Sequence, residues 1–190
     1  MATVPEPLVA VVMGVSGCGK STIGARLAQS LGWDFLDGDS LHTPAAIAKM
    51  RAGQPLDDAD RAPWLEAIAA WIAEHVRDRR GGVVTCSALK RRYRETLRGG
   101  RDEVLFVHLH GSRQLLEQRV RLRRHEYMPA SLLDSQLADL EPLDADERGV
   151  TIDIAQSPAA VTADALRVLR PEAASELAED AKIGEARRGE

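Results

Sequence analysis

A chain of 190 residues, 44% of them hydrophobic, is long enough to bury one core of ordinary size, so we expect one compact domain. Its 25 basic and 29 acidic residues are spread along the chain and leave a net charge of −4, which argues against nucleic acid or a membrane surface as partner and favours a small molecule. The N-terminal stretch lacks the basic and long apolar segments of a secretion signal, and the two cysteines, Cys18 and Cys86, are too few for a disulfide framework, so we expect a cytoplasmic protein with reduced thiols.

Five apolar runs alternate along the chain with segments of helical period. The predicted strands are residues 8–13, 34–37, 82–86, 104–110 and 150–154, and the predicted helices are residues 20–31, 61–79, 89–98, 112–123 and 158–169. Several strands are almost continuously apolar, as parallel strands covered on both faces are. The alternation predicts an α/β fold, a five-stranded parallel sheet with helices on both faces. We expect this domain to span residues 1–170, followed by a polar, flexible tail of residues 171–190.

The turn between the first predicted strand and the first predicted helix matches a phosphate-binding motif. Gly14, Gly19, Lys20 and Ser21 satisfy the pattern G-x-x-x-x-G-K-[ST] in the required strand-to-helix context. Glycines let the backbone direct its N–H groups toward phosphate oxygens, Lys20 can reach the outer phosphates, and Ser21 can hold Mg²⁺. The predicted nucleotide-binding residues here are Gly14, Ser16, Gly17, Cys18, Gly19, Lys20, Ser21 and Thr22.

Two aspartates follow the second predicted strand, in the sequence FLDGDSLH. The strand at residues 82–86 ends without an acidic residue, so Asp37 and Asp39 are the candidates for metal and proton chemistry. In an extended chain residues two apart project to the same side, so we expect Asp37 to face the metal and Asp39 to face a substrate hydroxyl. The alternative is a polar turn with two solvated aspartates.

Six segments occur in the order and approximate spacing of one enzyme family: GVSGCGKSTIG, FLDGDSLH, KMRAGQPLDDADRAPWL, CSALKRRYRETLR, FVHLHGS and SLLDSQLADLE. With them the chain resembles the gluconate kinases over roughly residues 8–169. The resemblance implies ATP:D-gluconate 6-phosphotransferase activity with Mg²⁺ and a P-loop kinase fold related to the shikimate kinases. Members of the family often form homodimers. The basic segment at residues 112–128 adds the expectation of a small helical lid.

An acidic polyol acceptor needs cations at a distance from the phosphate loop and hydrogen-bonding groups between. The candidates in the resembling segments are Asp39, His42, Arg61, Lys90, Arg94 and Gln136. The family motif favours Lys90, and Arg94 lies four residues later on the same predicted helix face. The alternatives are that His42 is a polar loop residue without a ligand and that Arg61 pairs at the surface with the acidic run before it.

The basic segment SRQLLEQRVRLRRHEYM suggests a cover over the nucleotide, a lid around residues 119–135. Arg119 and Arg123 are four apart and share a helix face, so we expect Arg119 to contact the nucleotide and Arg123 to neutralise charge on the transferring phosphate. The alternative is an ordinary solvated basic face.

The chain departs from the family pattern at several positions. Ala46 stands where many members have asparagine, and Glu126 stands where they have histidine, with His125 one position earlier. Leu137 and Asp139 replace the more usual aromatic residue and threonine.

These observations lead to one functional hypothesis, in-line transfer of the ATP γ-phosphoryl group to the terminal hydroxyl of gluconate, with Lys20, Asp39 and Arg123 as catalytic residues. One alternative is a kinase for another small acidic acceptor such as shikimate, although CSALK stands where that family has a glycine-rich turn. The other is a P-loop NTPase switch without an acceptor, against which the paired aspartates count.

Overall fold

A parallel sheet lies at the centre of the computed structural model, which describes residues 6–122 and 130–170. Its strands are β1 (Val9–Met13), β2 (Asp34–Asp37), β3 (Gly82–Thr85), β4 (Val104–His110) and β5 (Gly149–Asp153). Their order across the sheet is β2-β3-β1-β4-β5, and all four pairings are parallel. The predicted α/β class and the five-stranded parallel sheet are confirmed, with each strand bound within one residue of its prediction.

Helices cover both faces of this sheet. They are α1 (Lys20–Leu31), α2 (Pro44–Arg51), α3 (Asp58–Arg77), α4 (Arg91–Arg98), α5 (Arg113–Leu122), α6 (Ala130–Asp139) and α7 (Pro158–Leu169). Successive side chains of a strand point to opposite faces, so β1 contributes Ala10 and Val12 to one core and Val9, Val11 and Met13 to the other. The first core includes residues of α1, α5 and α7, and the second includes residues of α3 and α4. Ligands of such open parallel sheets bind at the carboxyl ends of the strands, which is where the phosphate loop follows β1 and where Asp37 ends β2.

The starts of three helices differ from the predictions. Helix α3 begins at Asp58, three residues early, because Asp57 and Asp60 form a reciprocal capping box. Helix α4 begins at Arg91, with Lys90 as its N-cap in extended conformation. Helix α2 was not predicted, although its signal is present: the Thr43 hydroxyl accepts from the Ala46 N–H, and Pro44 occupies the first turn.

Two predicted segments fall wholly or partly outside the described residues. Of the lid around residues 119–135, the structure describes the end of α5 and helix α6, but not residues 123–129. The tail, residues 171–190, lies outside as well. Within the described ranges, no helix has the length and apolar character needed to cross a membrane.

Candidate active site

The loop between β1 and α1 has the backbone geometry of a phosphate cradle. Gly14, Gly17 and Gly19 have φ of 137°, 83° and 97°, a region that side chains disfavour. At Gly14 a Cβ would also lie 2.7 Å from the carbonyl oxygen of Leu109. Gly19 caps α1 without a side-chain hydrogen bond, so the first-turn N–H groups are left for an anion. Lys20 Nζ donates to the Val15 carbonyl at 3.2 Å, which keeps the ammonium group beside the loop.

Asp37 joins the phosphate loop to the end of β3. Its Oδ2 accepts from Ser21 Oγ and its Oδ1 accepts from Thr85 Oγ1, both at 2.9 Å. Gly38 permits this approach, because a Cβ there would lie 2.0 Å from the Thr85 carbonyl oxygen. The sequence has no acidic residue at the end of β3. The Thr85 hydroxyl there, which is not among the predicted site residues, holds the Asp37 carboxylate instead.

The oxygen atoms of Ser21 and Asp37 fit a hard divalent cation such as Mg²⁺. One carboxylate and one hydroxyl are in contact, and Mg²⁺ in kinases is usually held by one or two carboxylates together with substrate phosphates. In residues 6–122 and 130–170, no group of three or more His, Cys, Asp or Glu side chains forms an all-protein metal cage. The donor set therefore suits a metal that arrives with a nucleotide.

Asp39 reaches the same cavity as Asp37, but not by the predicted route. The chain is not extended between them: Asp37 ends β2, and Asp39 lies in a 3₁₀ turn, Gly38–Leu41, where its N–H donates to Asp37 Oδ1 at 3.2 Å. The expectation that strand alternation aligns the two carboxylates is therefore wrong. The Asp39 side chain is 66% exposed and lines the cavity, so it has room to meet a substrate group.

Two cavities flank the phosphate loop. The larger has a volume of about 440 Å³, and its polar lining includes Ser16, Lys20, Ser21, Asp37, Asp39, His42, Arg61, Ser87 and Gln136. The smaller, of about 270 Å³, lies against the other side of the loop and is lined by Thr22, Arg119, Ile154, Gln156, Pro158 and Val161, among others. Gly17 and Gly19 line both cavities. The loop thus lies between a polar cavity and a more apolar one.

His42 lines the larger cavity as a neutral ring. It stacks on Trp64 with centroids 4.2 Å apart, and its Nε2 lies 3.8 Å from Asp39 Oδ1. Burial lowers the pKa of His42 below its usual range, although Asp39 opposes this shift. Among the candidate acceptor residues, His42 is therefore an uncharged hydrogen-bonding group at neutral pH.

Arg61 is the buried cation of the larger cavity, with 8% of its surface exposed. Its Nη1 donates to the Tyr93 hydroxyl at 3.1 Å and lies 3.4 Å from Asp139 Oδ2. The surface alternative is wrong, because Asp58 contacts Arg92 and Tyr93 and Asp60 pairs with Lys49. A buried guanidinium group that lines a cavity is suited to bind a carboxylate.

Lys90 and Arg94 lie outside the residues that line the two cavities. Lys90 Nζ is 3.1 Å from Asp139 Oδ1, so it contacts the same carboxylate as Arg61. Arg94 is fully buried, donates to both oxygens of Glu147 at 2.6 and 2.7 Å, and bonds the carbonyl oxygens of Ala88, Leu89, Glu141 and Pro142. The prediction that Arg94 binds the acceptor does not fit this placement, because its donors already bind the loops around α4. The prediction that Lys90 and Arg94 share a helix face is also wrong, because Lys90 precedes α4.

The remaining predicted residues lie around the phosphate loop. Gln136 Oε1 accepts from the Ser16 N–H at 2.6 Å, so α6 contacts the loop directly. Arg119 lines the smaller cavity, and its Nη2 donates to the Ile154 carbonyl at 2.8 Å. Arg123 lies outside the described residues. Cys18 and Cys86 are free and buried, and burial raises the pKa of Cys86 to about 12, which leaves that thiol protonated.

The chain is similar to known proteins over most of its length. The family model described as an AAA domain matches residues 9–143. A gluconokinase of Gluconobacter oxydans (strain 621H) is 48% identical over 167 residues, which are 88% of this chain and 94% of that protein. The crystal structure of a gluconokinase from Sinorhizobium meliloti 1021 is 42% identical, with a TM-score of 0.77 over 96% of this chain and 99% of that chain.

A more distant structure shows likeness of fold alone. Shikimate kinase from Aquifex aeolicus vf5 is 17% identical, with a TM-score of 0.55 over 87% of this chain and 98% of that chain. The family resemblance and the predicted P-loop kinase fold, related to the shikimate kinases, are both confirmed by these findings.

Proposed function

The chain belongs to the gluconokinase family, and we propose that it transfers the γ-phosphoryl group of ATP to the terminal hydroxyl of D-gluconate. The observation that carries this proposal is the larger cavity, whose lining combines the phosphate loop, Asp39 and the buried Arg61. Gluconate has the matching chemistry, with a reactive hydroxyl at one end and a carboxylate at the other. Neutral His42 and the Gln136 amide line the same cavity and can serve as hydrogen-bonding groups for the hydroxyls of the polyol.

The phosphate loop and its surroundings bind the nucleotide in this proposal. Loop N–H groups and Lys20 hold the phosphates, while the smaller cavity takes the nucleoside between apolar side chains such as Ile154 and Val161. Ser21 and Asp37 would hold Mg²⁺, which when bound neutralises charge on the phosphates. Arg119 borders the smaller cavity, and Arg123, four residues later, is assigned the transferring phosphate by this spacing alone.

Asp39 is the acceptor-side carboxylate. It is more exposed to the cavity than Asp37, whose two oxygens are engaged by Ser21 and Thr85. Asp39 can therefore orient the terminal hydroxyl and take its proton, while the closed site excludes water that would waste ATP. Phosphoryl transfer depends mainly on such positioning and charge neutralisation.

The sugar-acid acceptor is tested by measuring ADP formation from Mg-ATP. We expect ADP release to depend on gluconate in a panel that also contains related sugar acids, shikimate, nucleoside monophosphates and a control without acceptor. A shikimate-dependent signal would favour the kinase alternative, and equally fast ADP release without acceptor would favour the NTPase switch. The homodimer remains a prediction from the family resemblance, and the lid remains a prediction from the basic segment at residues 112–128.

Replacing Arg61 tests the carboxylate end of the cavity. We expect Arg61→Gln to raise the KM for gluconate about thirtyfold or more, because a buried charged group that pairs with the acceptor carboxylate is lost. The KM for ATP should change little, since Arg61 forms its hydrogen bonds with Tyr93 and Asp139 and not with the phosphate loop. Arg92→Gln is the matched control: Arg92 also lies over the Tyr93 ring, but its side chain is 57% exposed and does not line the cavity. Equal gluconate KM in Arg61→Gln and the wild type would contradict the assignment.

A further inference from the structure

Asp139, the last residue of α6, lies between Arg61, which lines the larger cavity, and Lys90, which does not. Asp139 places Oδ2 3.4 Å from Arg61 Nη1 and Oδ1 3.1 Å from Lys90 Nζ. Arg61 lines the larger cavity, whereas Asp139 and Lys90 are not among its lining residues. One carboxylate therefore links the buried cavity arginine to a lysine outside the cavity.

The contacts of Arg61 are confined to one end of its guanidinium group. Nη1 contacts Tyr93 and Asp139, while Nε and Nη2 have no hydrogen-bond partner among the described residues. Tyr93 also lies close to the guanidinium carbon, 5.6 Å from ring centroid to Cζ. Asp139 and Tyr93 thus hold the Nη1 nitrogen of Arg61. The Nε and Nη2 nitrogens are left to bind a planar anion.

Lys90 supports Asp139 in turn. Its side chain is 21% exposed and that of Asp139 is 28% exposed, so the pair is partly shielded from water. The hydrogen bond with Asp139 raises the pKa of Lys90 above its usual range, which keeps the ammonium group charged across the physiological range. Without Lys90, Asp139 would have fewer contacts that fix its carboxylate opposite Arg61.

We propose that Asp139 is a positioning residue for the acceptor site: held by Lys90, it orients Arg61 so that the unpaired side of the guanidinium group receives the acceptor carboxylate. Lys90 then acts on the acceptor through Asp139 and Arg61, without touching it. This inference rests on the proposed function and gives a structural role to the aspartate that stands where the family more usually has threonine. A residue that merely stabilised α6 would not act on acceptor affinity through Arg61.

Asp139→Asn is the first test, because asparagine keeps the shape and removes the charge. We expect the KM for gluconate, and its Kd by calorimetry in the presence of ADP, to rise about five- to tenfold, with a smaller change in kcat and in the KM for ATP. Asp134→Asn is the matched control, since Asp134 lies on the same helix but pairs with exposed Arg113 instead. Gluconate affinity in this control should equal that of the wild type.

A double-mutant cycle tests the route from Lys90 through Asp139. Lys90→Met should also weaken gluconate binding. The double variant, Lys90→Met with Asp139→Asn, should bind gluconate no more weakly than Asp139→Asn alone. If the two losses of gluconate affinity were fully additive, Lys90 would not act through Asp139. Unchanged or tighter gluconate binding in Asp139→Asn would overturn the positioning role of Asp139. Thermal denaturation of each variant, with Asp139→Thr as a second replacement, separates a folding defect from lost affinity.

The two proposals fail differently. A wild-type protein that releases no gluconate-dependent ADP overturns the proposed function, and this inference with it. A wild-type protein that phosphorylates gluconate, together with an Asp139→Asn variant of wild-type gluconate affinity, overturns the inference alone.

Discussion

Asparagine in place of Asp39 is expected to lower kcat for gluconate phosphorylation about 10²- to 10⁴-fold, the range for losing a positioned acid or base. The amide cannot take the proton of the acceptor hydroxyl, although it keeps nearly the same shape. Ser21 and Asp37 would hold Mg²⁺, and Asp39 contacts this pair only through its backbone N–H, which donates to Asp37. The side-chain change at Asp39 should therefore alter the KM for ATP little. Steady-state assays with each substrate varied in turn measure both effects.

A remote aspartate provides the control for this change. Asp146 is exposed to the same degree as Asp39, at 67% against 66%, and pairs with Arg91 away from the cavity. Asp146→Asn should therefore keep wild-type kcat. If Asp39→Asn also kept it, Asp39 would have no part in the transfer and the acceptor end of the cavity would need another base.

Methionine in place of Lys20 is expected to lower kcat about 10²- to 10³-fold, comparable to the loss of one strong electrostatic contact with the transition state. The ammonium group lies at the phosphate loop, where methionine can fill its space but cannot neutralise phosphate charge. Nucleotide affinity should fall as well, because the same cation contacts the phosphates in the ground state. Equilibrium binding of ADP and single-turnover transfer separate these two losses.

Lys49 provides the corresponding lysine control. It pairs with Asp60 through two contacts of 2.7 Å and does not line either cavity, so Lys49→Met should leave nucleotide affinity and kcat close to wild type. Equal losses in the two lysine variants would indicate a general effect of removing positive charge, and would contradict a specific role for Lys20.

The sheet and the phosphate loop were predictable because their signals are local. Buried parallel strands give continuous apolar runs, and the loop requires glycine and lysine at fixed spacing. Helix α2 was missed although Thr43 and Pro44 are a typical helix start. Asp57 and Asp60 likewise form a capping box that marks the start of α3 at Asp58. Both helix starts are therefore predictable from their capping residues.

The acceptor side was less predictable because its contacts join distant parts of the chain. Arg61 and Asp139 are 78 residues apart, and nothing in the local sequence marks them as a pair. Arg94 illustrates the opposite error: its place in a family segment suggested a ligand, but packing against Glu147 and four carbonyl groups occupies it. The sequence pattern identified which residues are polar, whereas the fold decided which of them line the cavity.

The central claim is that gluconate accepts a phosphoryl group at its terminal hydroxyl. Its most direct test is ³¹P NMR of a reaction of purified protein with Mg-ATP and gluconate, recorded together with ADP formation. We expect one phosphomonoester, coupled to the protons of the terminal CH₂ group of gluconate, to appear in equal amount to ADP. Inorganic phosphate in place of the ester, or ester formation at another hydroxyl, would contradict the account.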